Sequence, residues 1–365
     1  MKIQITQTNL NKALGLLSRV ASARTPLPIL SNILLKASAN KLELAATNLE
    51  VAITHHTNGK IDEEGSVTIP ARLLHEFVAQ LPKDLTVDLV FEETKLFISA
   101  GSYSSHMQGA SADDFPALPT IAKGTDIKLN AENLKSALDR TMLAASGDET
   151  RPILGGIYFH TVEGKLFIAA TDGYRLAESE VAEVEGELSA VVPSSALQDV
   201  LRIIQDSGEK EVVLQFGEGQ FGIKAGDSEL VSRLIDGQYP QYRQLIPASS
   251  EIEFEVSRNE LLTAAKLAGL FARESGGSIT LKASESDSHV VVSSVASQVG
   301  DNSSKISGKV SGSGDVVVNV KFLTDALNCF DGDKITFRFS GSISPCVLSS
   351  SNQPGYQHIV MPLKS

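Results

Sequence analysis

The chain contains no tryptophan, and aromatic residues make up only 5 % of its 365 positions. Such a sequence offers few platforms on which single-stranded bases could stack. There are two cysteines, Cys329 and Cys346, and they form no CxxC pair. That spacing points to free thiols in a reducing compartment rather than to a disulfide or a thiolate metal site. No apolar run reaches the length that spans a bilayer. The opening MKIQITQTNL alternates like a strand and lacks the apolar block of a signal peptide. A cytoplasmic protein with no membrane partner is the expectation. Positive charge is also scarce: 32 Lys and Arg stand against 44 Asp and Glu, a formal net charge of −12. As a sum this argues against nucleic acid, because phosphate binding needs cations, but a sum hides distribution.

Catalytic and cofactor signatures are missing as well. GEGQFG (217–222) has the letters of G-x-G-x-x-G, but it lies between the alternating runs VVLQF and FGIKAG. The dinucleotide fingerprint must instead open a helix after a strand, so this stretch is predicted to be a hairpin turn. Each Gly-Lys pair is followed by Ile61, Leu166 or Val310, which excludes a Walker A loop. His55 and His56 are adjacent and would point to opposite faces of a strand. The other histidines, at 75, 106, 160, 289 and 358, fall into no metal-binding spacing. Asp113 and Asp114 precede FPALP and fit a loop with a capping role. SSKISGKVSGSGD (303–315) reads as a flexible loop rather than a phosphate cradle. No catalytic residue, cofactor or metal is expected. A protein that binds fits better than one that transforms, although an enzyme of nucleotide metabolism and a monomeric interaction module remain alternatives.

What the sequence does contain is a threefold repeat. IQITQTNLNKALGLLSRVA, IKLNAENLKSALDRTMLAA and IEFEVSRNELLTAAKLAGL begin at Ile3, Ile127 and Ile252, each a strand leading into an amphipathic helix. VTIPARLLHEFVAQLP, AVVPSSALQDVLRIIQ and VVVNVKFLTDALNCFD supply a second strand and helix, with Pro70, Pro193 and Val320 in matching places. Between them KLELAATNLEVAITHH matches KLFIAATDGYRLAESE, while HVVVSSVASQVGD is a weaker third copy. Only the middle copy carries Gly-Tyr-Arg after its Thr-Asp. The period is too long for a solenoid. It implies three α+β domains at 1–122, 123–248 and 249–365, each with two helices packed on antiparallel strands. PALPTIAKGTD (116–126) and IPASSEIE (246–253) would serve as linkers.

Charge follows the repeat. In the first helix Leu10, Ala13, Leu14, Leu17 and Ala21 share one face, and Lys12 and Arg19 share the opposite one. No acid occurs from residue 1 to 42. The third copy places Leu261, Ala264, Ala265 and Ala268 opposite Lys266, and the middle copy offers Lys135 and Arg140. The second helices carry Arg72, Arg202 and Lys321, accompanied by acids. Acids crowd DEEG (62–65), DLVFEE (88–93) and ESEVAEVEGE (178–187). Basic helices could contact a duplex backbone, which positions a protein without reading sequence. A plain solvated helix face gives the same pattern, so charge alone leaves both readings open.

Several strings together resemble the bacterial sliding clamp family: RTPLPILSNILL (24–35), IPARLLHEFVAQLP (69–82), DFPALP (114–119), RPILGGIYF (151–159), TDGYRLA (171–177), SRLIDGQYPQYRQLIP (232–247) and YQHIVMPLKS (356–365). The resemblance is collinear over the whole chain. It implies three clamp domains per chain and a ring-shaped head-to-tail homodimer around duplex DNA. The role it implies is that of a non-catalytic processivity factor for a replicative polymerase. At matching strings it gives Arg24, Arg72 and Arg151 as DNA contacts; Lys12, Arg19, Arg140, Arg202 and Lys266 are added from helix position. Ser194 and Ser195 stand where the family often has a basic residue. The resemblance further implies a pocket for short partner peptides from the polymerase, the clamp loader and repair proteins. Its residues would be Leu154, Thr171, Gly173, Tyr174, Arg175, Leu176, Pro240, Gln244, Leu245, Val360, Met361, Pro362 and Leu363. Tyr174 replaces a common histidine, and the Leu-Lys-Ser end departs from a frequent arginine-leucine pair. Ring closure would join the strand near 99–108, with Tyr103 and His106, to 269–278, with Leu270, Phe271 and Arg273.

Overall fold

A computed structural model describes residues 1–21, 27–38, 41–296 and 300–363. The first third runs β1 (Lys2–Thr6), α1 (Gln7–Ala21), β2 (Asn32–Ser38), β3 (Lys41–Thr47), β4 (Val51–Asn58), β5 (Lys60–Glu63), β6 (Gly65–Pro70), α2 (Ala71–Gln80), β7 (Thr86–Glu92), β8 (Lys95–Ala100) and β9 (Tyr103–Gln108). The middle third repeats the order: β10 (Gly124–Asn130), α3 (Ala131–Thr141), β11 (Gly156–Val162), β12 (Lys165–Thr171), β13 (Arg175–Glu183), β14 (Ser189–Pro193), α4 (Ser194–Ser207), β15 (Glu211–Gly217), β16 (Gln220–Ala225) and β17 (Ser228–Arg233). The last third follows with β18 (Ile252–Ser257), α5 (Arg258–Phe271), β19 (Ser278–Ser284), β20 (His289–Ala296), β21 (Gly300–Ser311), β22 (Gly314–Asn319), α6 (Val320–Asn328), β23 (Lys334–Phe339), β24 (Cys346–Ser349) and β25 (Tyr356–Val360).

Helices α3, α5 and α6 start where their sequences provide caps. Ser257 Oγ accepts the Glu260 N–H at 3.4 Å in a Ser-x-x-Glu arrangement. Asn319 Oδ1 accepts from the Lys321 and Phe322 amides, and Asn130 Oδ1 from those of Glu132 and Asn133. The α1 residues expected inside, Leu10, Ala13, Leu14, Leu17 and Ala21, are all buried, as are Leu261, Ala264, Ala265 and Ala268 of α5. Gly217 and Gln220 close the β15–β16 hairpin, and Gly219 takes the left-handed conformation at φ +70°. GEGQFG is therefore a turn, as its flanking alternation implied. Cys329 and Cys346 are free thiols.

The Ser/Gly-rich stretch at 303–315 corrects the loop expectation. Residues 300–311 form β21, which pairs with β20 through His289↔Ser307 to Ala296↔Gly300 and with β18 through Glu253↔Ser311 to Val256↔Gly308. Main-chain ladder bonds hold this strand, and side-chain hydrophobicity contributes little to it, so composition alone hid it.

Backbone contacts divide the chain into two compact units. One holds Met1–Lys135 and Ser195–Ile235; the other holds Ser136–Ser194 and Asp236–Ser365. In the first, a five-stranded sheet has the order β5-β1-β7-β8-β9, and an eight-stranded sheet the order β10-β15-β16-β17-β4-β3-β2-β6. In the second, twelve strands run β14-β11-β12-β13-β25-β24-β23-β18-β21-β20-β19-β22. One junction recurs. The fourth strand of the first third, β4, pairs antiparallel with the last strand of the middle third, β17. The corresponding strand of the middle third, β13, pairs with the last strand of the chain, β25.

Candidate peptide-binding and DNA-facing sites

The β13–β25 junction builds a cavity of about 130 Å³ in the second unit. Leu154, Thr171, Gly173, Arg175, Leu176, Pro240, Leu245 and Met361 line it, all of them expected from sequence; Tyr242, Ile246 and Ile359 line it too and were not. Its walls are mainly aliphatic, which suits the apolar side chains of a guest. Filling it with one Leu-sized side chain would contribute about 1.5–3 kcal/mol.

The turn between β12 and β13 sets one wall. Thr171 Oγ1 donates to the Arg175 carbonyl at 2.6 Å and accepts the Gly173 N–H at 3.1 Å. Asp172 Oδ1 accepts the amides of Tyr174 and Arg175, and its Oδ2 accepts Arg175 Nε at 3.1 Å. These bonds wind the chain so tightly that Gly173 sits at φ +93°, where a residue without Cβ carries no steric penalty. Arg175 is 9 % exposed along its side chain; it donates to Asp325 at 2.7 Å and stacks 4.8 Å over the Phe322 ring. It is thus a fixed wall, not a free cation. Tyr174, expected in the pocket, does not line the cavity; it is 63 % exposed, and its carbonyl accepts the Met361 N–H at 2.8 Å.

A buried polar network supports the opposite wall, the single helical turn Tyr242–Leu245. The Tyr242 hydroxyl donates to Glu178 and lies 2.6 Å from His160 Nε2. A phenol has one proton, so His160 carries its own on Nε2 and donates it to the phenol oxygen. Arg243 Nε and Gln357 Nε2 also donate to Glu178, at 2.8 and 2.9 Å, and Arg243 lies 4.2 Å over the Phe167 ring. A buried carboxylate with this many donors is compensated. Burial, reinforced by the Arg243 charge and opposed by Glu178, pulls the His160 ring down to about 4. Burial also raises the Tyr242 hydroxyl far above its ordinary range, with the Glu178 charge adding to it.

Other expected pocket residues stand elsewhere. Val360 is fully buried and lies between Arg175 and Cys346 in the ladder, while its neighbours Ile359 and Met361 face the cavity. The difference is strand parity, because alternate residues face opposite sides. Gln244 bonds Gln241, and the Leu363 amide donates to the Val317 carbonyl. Pro362 and Gln244 do not line the cavity either. Tyr242 and Ile246 could have been found from YPQYRQLIP only by knowing that it folds into a single helical turn.

Of the expected DNA contacts, Lys12, Arg19, Arg72, Arg151 and Lys266 are exposed. Arg72 pairs with Glu76 at 2.7 Å, Arg151 with Asp148 at 2.9 Å, Arg140 with Asp331 at 2.8 Å and Arg202 with Asp199 at 2.5 Å. The Arg72 and Arg151 pairs are exposed and weak enough to exchange for phosphate, whereas Arg140 and Arg202 are half-buried. Arg24 lies outside the described residues. At the expected dimer contacts, Tyr103 and His106 are exposed on β9 beside an exposed Phe97. Leu270 is exposed near the end of α5, and Arg273 is exposed in the helical turn Ala272–Ser275 that follows; Phe271, the last residue of α5, is half-buried.

Comparison with known proteins places this architecture. Residues 1–119, 128–241 and 243–364 match, in order, the N-terminal, central and C-terminal domains of the DNA polymerase III beta subunit. The chain is 34 % identical over its full length to the beta sliding clamp of Synechococcus elongatus, of which it covers 99 %, and 29 % identical to that of Staphylococcus aureus, covering 98 % of this chain and 97 % of the other. Solved clamps from Caulobacter crescentus and Bacillus subtilis superpose with TM-scores of 0.94 at 30 % and 27 % identity, each over 100 % of this chain and 99 % of theirs. The chain belongs to the DNA polymerase III beta subunit family, the bacterial sliding clamps. It is a non-catalytic processivity factor with three clamp domains. Among the described residues no group of His, Cys, Asp and Glu could hold a metal ion, and no helix is long and apolar enough to cross a membrane.

Proposed function

We propose that two copies of the chain close head to tail into a ring around duplex DNA. In this reading the ring holds the replicative polymerase, the clamp loader and repair proteins by short peptides in the Leu154–Met361 pocket, and it acts in the cytoplasm. The thirds 1–122, 123–248 and 249–365 are its domains. One observation carries the closure. Each internal junction joins the fourth strand of one third to the last strand of the next. Two segments are left over. Among the described residues, β9 pairs along its length only with β8, and residues 300–307 of β21 pair only with β20. The strand after the same rule is a second copy's β9 against β21. Unpaired edges of this kind seek partners, and Tyr103, His106, Leu270, Phe271 and Arg273 would flank the seam.

Inside such a ring Lys12, Arg19, Arg24, Arg72, Arg140, Arg151, Arg202 and Lys266 would meet phosphates. Lys12 and Lys266 have no ion-pair partner among the described residues. Their contacts would be weak and independent of sequence, so the ring slides. The bound protein is expected to stay on closed circular DNA after loading and to leave linear DNA from its ends. Equal loss from both would remove topological tethering. Sedimentation should give twice the 38.9 kDa chain mass; a strict monomer at micromolar concentration would remove the ring as the resting state.

A further inference from the structure

A second cavity of about 540 Å³ shares Ile246 with the peptide pocket. Charged side chains from three segments line it: Glu178 and Glu180 of β13, Arg243 of the helical turn, and Arg338 of β23. Their hydrogen bonds do not balance. Glu178 is filled by Tyr242, Arg243 and Gln357, and Glu180 accepts Lys165 at 3.0 Å. Each carboxylate therefore has its own cation. On the donor side, Arg243 is committed through Nε to Glu178. Arg338 is less satisfied still. Its Nε is buried with no hydrogen-bond partner, and it makes no ion pair among the described residues. Glu253 stands across the ladder from it but is not within ion-pair distance. In a chain with 44 acids to 32 bases, an unpaired half-buried arginine is conspicuous. A buried guanidinium donor without an acceptor costs about 1–3 kcal/mol.

We propose that this cavity binds a small multiply charged oxyanion, a carboxylate or phosphoryl compound held by Arg338, with Arg243 lining the same cavity. The planar fork of a guanidinium matches two oxygens of either group. Ile246, Pro247 and Pro354 supply apolar contact for the body of the molecule. The site takes no residue from the DNA-facing set, and its occupancy can be read without DNA or peptide.

The test is calorimetric titration of the full-length protein at constant ionic strength with sodium citrate, with sodium pyrophosphate and with sodium chloride as control. At least one oxyanion is expected to bind saturably, one per chain, with Kd of about 1 mM or tighter. Tighter citrate assigns the site to carboxylates, and tighter pyrophosphate to phosphoryl groups. Arg338→Gln should weaken binding by about tenfold, and Arg338→Lys, which keeps the charge and loses the fork, by less. Unfolding midpoints of both variants establish that they fold; should Arg338→Gln not fold, Arg338→Lys carries the comparison. No saturable heat with either oxyanion, or undiminished binding in the variants, overturns the proposal.

Discussion

The turn at 47–51 and the turn at 171–175 share a backbone and differ in the polarity of what lies beside them. Thr47 Oγ1 donates to the Val51 carbonyl as Thr171 does to that of Arg175, and Asn48 Oδ1 accepts the next amides as Asp172 does. The Arg233 N–H donates to the Glu50 carbonyl just as the Met361 N–H donates to that of Tyr174. A cavity lies beside each turn. The one in the first unit is about 250 Å³ and mixes apolar Leu49, Val51 and Val231 with polar Glu50, Gln220 and Arg233, where the other is mainly aliphatic. Leu49 also stands where Gly173 does, at φ +75°, a conformation costly for a residue with Cβ. The scaffold was copied, and the lining diverged: mixed at one copy, mainly aliphatic at the other. What differs between the copies is a few side chains laid over a shared hydrogen-bonded turn.

The largest effect should come from Arg175. Arg175→Ala removes the buried guanidinium that Asp172 and Asp325 share, leaving Lys321 as the cation on Asp325, and removes a wall of the pocket; urea unfolding should show a loss of about 3 kcal/mol, and labelled-peptide binding should fall with it. Val51→Ala at the matching place should cost about 1 kcal/mol. Equal costs would erase the distinction between the copies. Met361→Ala should weaken a clamp-binding peptide by about 1–3 kcal/mol without splitting the dimer, whereas Leu363→Ala, which is outside the cavity, should weaken it less; the reverse order by fluorescence anisotropy would move the site.

Acid should separate the units. His160 is held at about 4 and His358 at about 3, both chiefly by burial. An unfolded chain protonates these rings below about 6.5, while the fold keeps them neutral. Their stabilisation is complete above that pH and is lost as pH falls toward 4 and 3. In the first unit burial lowers His55 as well, against the opposing charge of Asp227. Protection against hydrogen exchange, taken relative to the intrinsic rate at each pH, should fall more from pH 7 to pH 5 over 156–183 than over 41–58; a uniform fall would contradict this. The smallest effect is Leu49→Gly, expected to stabilise by about 0.5 kcal/mol by relieving the left-handed strain.

The threefold repeat, the buried helix faces and the hairpin at 217–220 were legible because periodicity and turn chemistry are local. Much of the pocket was legible through its resemblance to a family. Val360 was misplaced in favour of Ile359 because parity along β25 is set by its ladder with β13, which lies far off in sequence. Tyr242 and Ile246 depend on a turn held by Glu178, a contact no local pattern announces. β21 escaped because a Ser/Gly strand is stabilised by neighbours it meets only after folding.

The sheet junctions carry one last consequence. The gene was written in thirds, but the chain should melt in halves. Strands β10 and β15–β17 of the middle third belong to the sheet of β4, while β11–β14 belong to that of β25. Cutting at 122 and 248 would strip β17 of β4 and β13 of β25 at once, leaving two raw edges on one fragment. An excised middle third would therefore aggregate, and the cooperative blocks seen by hydrogen exchange would straddle both copy boundaries.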